Sequence, residues 1–268
     1  MNNYIFTDLA CEISDHYYAK EEKLSEDIRR IVSSDTDRDR YVTFFTPHIW
    51  MLNDAEYSIL RNAVSDELCR FLGRVAPKDL GRRILVVGLG NPHITSDSLG
   101  PRVVDKIYVT ERGDKETVRV MAIAPDVAGN TGIETLDAVR AYVGALRPDA
   151  LVVIDSLRSR GYERLASTVQ LSDGGIIPGS GVGRGRSPLT EETLGVGVIS
   201  IGIPTVISVS TLIHQTLSEC GASPNDALLS EILDNGLDFF VTPKESDILV
   251  RSAALLLSDA INSALCRL

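Results

Sequence analysis

Residues 82–101 read RRILVVGLGNPHITSDSLGP, and the fold follows from how this stretch changes character halfway along. Its first part, residues 84–87, is an unbroken run of branched apolar residues, the composition of a strand covered on both faces. The run stops at a glycine-rich turn carrying Asn91, His93 and Asp97. In open α/β sheets ligands collect outside the carboxyl ends of the strands, so Asp97 stands where chemistry is usually done.

Toward the C-terminus, apolar runs at 84–88, 118–124 and 150–154 alternate with helical stretches at about 99–109 and 132–146. This β-α-β-α-β order implies right-handed crossovers and a parallel, doubly wound sheet. Leu136, Val139, Val143 and Leu146 recur at helical spacing, which lays one face of their helix on the sheet. A strand at 168–171 follows, then a glycine-rich loop at 174–188. Loops of about 15 residues without structure of their own are uncommon in compact domains and are usually functional or disordered. Residues 196–203 read as another buried strand ended by Pro204, and 205–217 begin a helix. A last strand at 239–242 leads through Pro243 into an amphipathic helix at 246–265.

Toward the N-terminus, YVTFFT at 41–46 reads as a strand stopped by Pro47, and Asn53 and Asp54 are candidate caps for a helix running to Leu72. Residues 1–40 are polar and charge-dense after a short apolar opening at 4–9, and their plain reading is loosely packed surface.

The chain has 268 residues, 44% hydrophobic and 24% charged, which is globular and long enough to bury a substantial core. A net charge of −10 argues against coating nucleic acid, which needs a concentrated basic surface. Cys11, Cys69, Cys220 and Cys266 lie far apart without a CxxC pair, suggesting neither a zinc site nor a disulfide framework and fitting a reducing cytosol. No apolar run approaches the roughly 20 residues of a membrane span. The opening MNNYIFTDLACEISD has no basic region followed by an apolar one, so a cytoplasmic, unanchored protein is expected.

Three strands end in a marked residue: Asp97 after the first, Asp126 and the loop GNTG after the second, and Asp155 in LVVIDSLRSR after the third. The first and third strands of such a unit commonly lie side by side, so Asp97 and Asp155 can meet across one crevice. Carboxylates sharing a site repel each other's ionisation, so one tends to stay protonated while the other is charged. Such a pair can activate water and protonate a leaving amide nitrogen. An aspartate after a buried strand is also often a helix cap, and spacing alone leaves both readings open. Ser180 in GSGVG resembles a nucleophile elbow only superficially, because the strand-turn-helix context is missing. GLGNPH lacks the third glycine of a dinucleotide fingerprint. His93 allows a metal site of His93, Asp97 and Asp155 for a borderline divalent ion, although a solvated loop histidine is the commoner arrangement.

The blocks GLGNPHITSDSLGP, AIAPDVAGNTGIET, VVIDSLRSR, SDGGIIPGSGVGRGR, TLGVGVISIGIPTVI and FFVTPKESD, in order over about residues 84–250, resemble those of the germination protease family. The resemblance implies a three-layer αβα fold with a mostly parallel central sheet, like that of the hydrogenase maturation proteases. It implies an atypical aspartic endopeptidase of the forespore and spore core, made as an inactive zymogen, using no cofactor and associating as a tetramer. The implied substrates are small acid-soluble spore proteins, and the family's two functional aspartates fall on Asp97 and Asp155. Pro92 and His93 after GLGN depart from the family pattern toward the maturation proteases, whose site binds nickel, so a divalent metal ion is the alternative cofactor.

Family substrates are cut within a motif of an acidic residue, an apolar residue, alanine and a later glutamate. Residues 7–12, TDLACE, have that form, which implies self-cleavage between Asp8 and Leu9. The expected organisation is then a propeptide at 1–8, an N-terminal extension packed on the core at 9–80, and the αβα peptidase core at 81–268. Arg158, Arg160 and Arg164, with Arg184 and Arg186 in the glycine-rich loop, form a positive cluster in an acidic chain. It suits binding of the acidic motif residues, or pairing with surface or subunit carboxylates. Three readings therefore stand: a self-processing two-aspartate endopeptidase, a metal-dependent maturation peptidase, and a catalytically silent binding protein of the same fold.

Overall fold

The apolar runs become strands, and the polar residues flanking them start turns and helices. A computed structural model describes residues 7–13, 20–34, 40–76, 82–110, 118–179, 187–221 and 239–268. Strands β4 (Arg83–Gly88), β5 (Arg119–Ile123), β6 (Ala150–Arg158) and β8 (Gly197–Ser208) pair in parallel in the order β5-β4-β6-β8. Beyond β8 the sheet continues antiparallel through β7 (Thr168–Ser172), β3 (Arg40–Phe45), β2 (Arg29–Ser34) and β1 (Lys20–Lys23). A short strand, β9 (Phe240–Val241), pairs with the far end of β8.

Helices cover both faces of this sheet. On one face α2 (Asp54–Val75), α3 (Leu99–Val104) and α8 (Ser246–Leu265) close a core that includes Ile84, Val86, Val152, Ile154, Ile199 and Ile201. On the other, α5 (Thr135–Leu146) lays Leu136 and Val139 on Leu85, Val87, Leu151 and Val153. Alternate residues of β4 and β6 thus enter opposite cores, which is why their runs are apolar throughout. Each such side chain contributes about 1.5–3 kcal/mol by leaving water. The result is the expected three-layer αβα architecture, with a central sheet whose parallel part, β5-β4-β6-β8, is extended by an antiparallel part of similar width. Among the described residues the remaining α-helices are α1 (Ala10–Ile13), α4 (Ala128–Thr131), α6 (Glu191–Leu194) and α7 (Val209–Glu219). Helix α8 is long and apolar enough to cross a membrane by length and composition, but most of it is buried inside the protein, packed on α2 and α3.

Asn53 caps α2 as its sequence suggests: its side chain accepts from the N–H groups of Ala55 and Glu56, and Glu56 accepts from the N–H of Asn53. Other expectations need correction. Residues 1–40 do not read through as loose surface, because 20–34 form the β1-β2 hairpin, and Leu9 and Ile28 are fully buried. Pro204 does not end a strand; β8 runs through it to Ser208, and α7 starts at Val209 rather than near residue 205. The pairing with β6 shifts register between Leu157 and Arg158, opposite Pro204 and Val206, an irregularity of the kind that tolerates a residue without an N–H. Helix α3 stops at Val104, five residues short of the expected end at 109.

Candidate active site

The carboxyl ends of β4 and β6 position the two aspartates by different means. After β4 the chain turns back through a 3-10 turn, Thr95–Asp97, before α3 begins. The return is tight: Gly90 has φ +113°, and a Cβ there would lie 1.9 Å from the carbonyl oxygen of Asp97. Only glycine fits such a position without displacing the loop. The N–H of Asn91 donates to Asp97 Oδ2 at 2.8 Å, and Thr205 Oγ1 on β8 donates to the carbonyl of Ser96 at 2.7 Å, so the half-buried Asp97 is held from both sides.

Asp155 lies inside β6 itself, one residue past the Ile154 that pairs with Gly88 of β4. It is 6% exposed and accepts the N–H of Ser156 at 2.8 Å on Oδ1. Burial pushes its carboxyl well above the usual carboxylate range, and the nearby charges of Asp97 and then Asp8 push it further. A cavity of about 360 Å³ is lined by both aspartates together with Asn91, Ser96, Thr205 and Asp8. The expected juxtaposition of Asp97 and Asp155 in one crevice is therefore present. The loop after β5 closes one side, where Asn130 Nδ2 donates to Asp126 Oδ1 at 3.0 Å and to Asn91 Oδ1 at 3.3 Å.

The N-terminal segment enters this site. The N–H of Asp8 donates to the Arg158 carbonyl at 2.9 Å, and the N–H of Arg158 donates to Asp8 Oδ2 at 2.8 Å, so residue 8 continues the edge of β6. Gln170 Nε2 on β7 donates to the carbonyl of Asp8 at 3.0 Å, and its Oε1 accepts from the N–H of Ala10 at 2.8 Å. Between those bonds Leu9 is fully buried. Glu12 accepts from the N–H groups of Arg160 at 2.7 Å and Gly161 at 3.0 Å, and also from the hydroxyl of Thr7. A second cavity, of about 350 Å³, touches this segment at Thr7 and Asp8 and shares Asp8 and Asp155 with the first.

The described arginines of the expected cluster sit in different settings, although Arg160 and Arg164 line one cavity. Arg158 is buried, with its guanidinium over the ring of Phe240 at 4.9 Å, and Arg164 stacks over Phe45 at 4.3 Å, while Arg160 is exposed. Arg184, Arg186 and Ser180 lie outside the described residues. His93 is exposed, its N–H donating to Asn91 Oδ1 at 2.9 Å. Among the described residues no three His, Cys, Asp or Glu side chains are grouped to hold a metal ion, so His93, Asp97 and Asp155 do not form a ligand set. Sequence reasoning missed Gln170 and Phe240. Gln170 carries a signal in retrospect, being the largest of the three polar residues that alternate with Val169 and Leu171 in β7.

A family model described as germination protease matches residues 22–220, an interval containing both aspartates and Gln170. A germination protease of Clostridium acetobutylicum is 33% identical, with 98% of this chain and 95% of that protein aligned. One from Caldanaerobacter subterraneus subsp. tengcongensis is 38% identical over 77% of this chain and 73% of its own length. One from Bacillus licheniformis is 40% identical over 66% and 50%. Among solved structures, a NiFe hydrogenase maturation protease from Thermococcus kodakarensis is 18% identical, with 63% of this chain and 99% of that one covered and a TM-score of 0.35, a likeness that carries no argument about function.

Proposed function

The chain belongs to the germination protease family, and from that premise we propose that it is a self-processing endopeptidase in which Asp155 is the general acid and Asp97 the general base. The observation that carries this reading is the shared cavity, in which a buried, charge-disfavoured carboxyl stands near a half-buried one and Asp8 lines this cavity and a second. Asp97, ionised, takes a proton from water as its oxygen adds to the carbonyl carbon of Asp8. Asp155 gives its proton to the Leu9 nitrogen as the C–N bond breaks, leaving a carboxyl on residue 8 and an amine on residue 9. The proton held by Asp97 then returns to Asp155 through solvent. A medium that disfavours charge keeps Asp155 protonated at pH values where an exposed aspartate has ionised.

Residues 7–12 support the specificity side of the proposal. The acidic side chain of residue 8 meets the main chain of Arg158, the apolar residue 9 is buried, and the glutamate at 12 meets two backbone N–H groups. Small acid-soluble spore proteins carrying the same pattern are the proposed substrates in trans, with the propeptide at 1–8 as the substrate in cis. The acidic residues meet backbone N–H groups here, Asp8 that of Arg158 and Glu12 those of Arg160 and Gly161. We place the enzyme in the spore core, as a tetramer working without a metal.

Mass spectrometry of protein held at mildly acidic pH tests the reading. A chain starting at Leu9 is expected from the wild type, and none from Asp97→Asn or Asp155→Asn. An active preparation whose chains all retain the intact Asp8–Leu9 bond would sink self-processing. Peptide hydrolysis that survives either aspartate substitution, or that is lost on adding a chelator, would sink the two-aspartate mechanism.

A further inference from the structure

A polar residue in the middle of a core strand needs a reason. In β7, Val169 and Leu171 enter the first core, whereas Gln170, 7% exposed, belongs to the opposite face. That is the face of Asp155: Gln170 is paired with Gly202 of β8, and Asp155 is paired with the same Gly202 on its other side. Residues in one row across neighbouring strands share a face, so the backbones of Gln170 and Asp155 lie about 10 Å apart with only a glycine between them. A Cβ on Gly202 would meet the side chain of Leu157 at 2.4 Å, so the missing side chain lets Leu157 floor the gap. The bonds from Gln170 bracket Leu9, one to the carbonyl of the Asp8–Leu9 peptide and the other to the N–H of the Leu9–Ala10 peptide. A carbonyl cannot donate and an N–H cannot accept, so these partners fix which way the carboxamide faces.

We propose that Gln170 is a catalytic residue of this cleavage, its Nε2–H holding the scissile carbonyl oxygen while Oε1 fixes the N–H of the second residue beyond the cut. The inference rests on Asp8–Leu9 being the bond broken. When water adds to the carbonyl carbon, the C=O electron pair moves onto the oxygen that Nε2–H already binds. Collapse restores C=O and expels the Leu9 nitrogen with the proton from Asp155. A neutral amide suits the task because it donates without placing another negative charge beside Asp155.

The test compares full-length wild type, Gln170→Leu and Gln170→Glu for self-cleavage and for kcat and KM on a peptide of the 7–12 sequence. Removing one donor to a developing oxyanion costs about 10²–10³ in kcat. Gln170→Leu should lose about a hundredfold in kcat, with KM changed by less than about tenfold, the worth of one neutral hydrogen bond. In Gln170→Glu a protonated carboxyl both donates and accepts, so its rate should recover as pH falls through the glutamate's titration, with no such recovery in Gln170→Leu. A merely structural role would not move with pH in this way. If both variants fail to fold, wild type is tested on a peptide whose Leu–Ala amide is replaced by an ester; cleavage about threefold to tenfold weaker is expected, and unchanged cleavage overturns the inference. A folded Gln170→Leu with wild-type kcat also overturns it, and leaves the peptidase reading standing. Cleavage only at another bond in the wild type overturns the reading on which it rests.

Discussion

In the parallel half of the sheet, β4, β6 and β8 are buried on both faces beside the more open edge strand β5, and Asp126 and Asp97 follow β5 and β4 while Asp155 lies near the carboxyl end of β6. In the antiparallel half, β7-β3-β2-β1, burial falls away toward an edge whose last strand is KEEK, and β7 offers the site only the neutral Gln170. Both acids come from the parallel half, which also holds Asp8 through the main chain of Arg158, while the bonds to the Asp8 carbonyl and the Ala10 N–H come from β7, with Gly202 of β8 at the boundary. Such a division follows from solvation. A carboxyl must be desolvated to hold its proton at ordinary pH, which the doubly covered parallel strands provide, whereas gripping a backbone needs only well-placed donors and acceptors.

The largest effect expected is on chemistry alone. Asp155→Asn removes the proposed proton donor and should lower kcat by about 10²–10⁴, the usual worth of a positioned general acid. KM for the 7–12 peptide should barely move, because the grip lies elsewhere. Stopped-assay kinetics showing a raised KM and an unchanged kcat would put Asp155 among the binding groups and dissolve the division. A stability effect with no effect on chemistry is expected at the other end of the sheet. Glu67 on α2, its side chain 1% exposed, accepts from Arg30 Nη2 of β2 at 2.6 Å and from the exposed Arg70 Nη1 at 2.7 Å. Arg30→Ala leaves a buried carboxylate poorly compensated and should cost about 3 kcal/mol in urea unfolding. The kcat of the folded fraction should stay as in wild type.

A similar energy, spent on geometry, separates position from identity at Asp97. Gly90→Ala keeps both aspartates but drives a Cβ into the Asp97 backbone at 1.9 Å from a φ of +113°. The loop must move, and a displacement of about 1 Å at a reacting group costs about a hundredfold in rate. Peptide kinetics would check it, and full activity would show that Asp97 tolerates a shift of its whole loop.

The same division governs what could be read in the sequence. β4, β5 and β6 were legible to within a few residues because continuous apolar runs of that length fit few alternatives, and Asn53 declared the start of α2 by its capping box. The pairing of Asp97 with Asp155 was legible too, since it depends only on parallel neighbours and strand ends. β1 was not: four charged residues at an exposed edge carry no hydrophobic period, and what holds them is pairing with β2. Pro204 misled because its missing N–H matters only where a ladder bond is required, and an irregular register relieves that demand. Burial of Leu9 depends on contacts with residues about 150 positions away, to which no local pattern points.

The smallest effect expected concerns stability and follows from the sign of one shift. In the folded protein Asp155 titrates well above the usual carboxylate range, first through burial and then through Asp97 and Asp8. In the unfolded chain it ionises near its ordinary value of about 4. As pH rises between those values the unfolded chain gives up a proton that the folded chain keeps, so the stability Asp155 contributes at low pH is progressively lost. Asparagine cannot ionise and should escape that loss. Asp155→Asn is therefore expected to match wild type in thermal unfolding near pH 4 and to exceed it at pH 7. Asp97→Asn should show a smaller gain of the same sign, since it relieves a lesser cause. Gln170→Leu, altering a neutral group, should change the melting temperature by the same amount at both pH values. A pH-independent gain in Asp155→Asn would trace its effect to packing, and the parallel half would no longer differ from the antiparallel half in the way it holds charge.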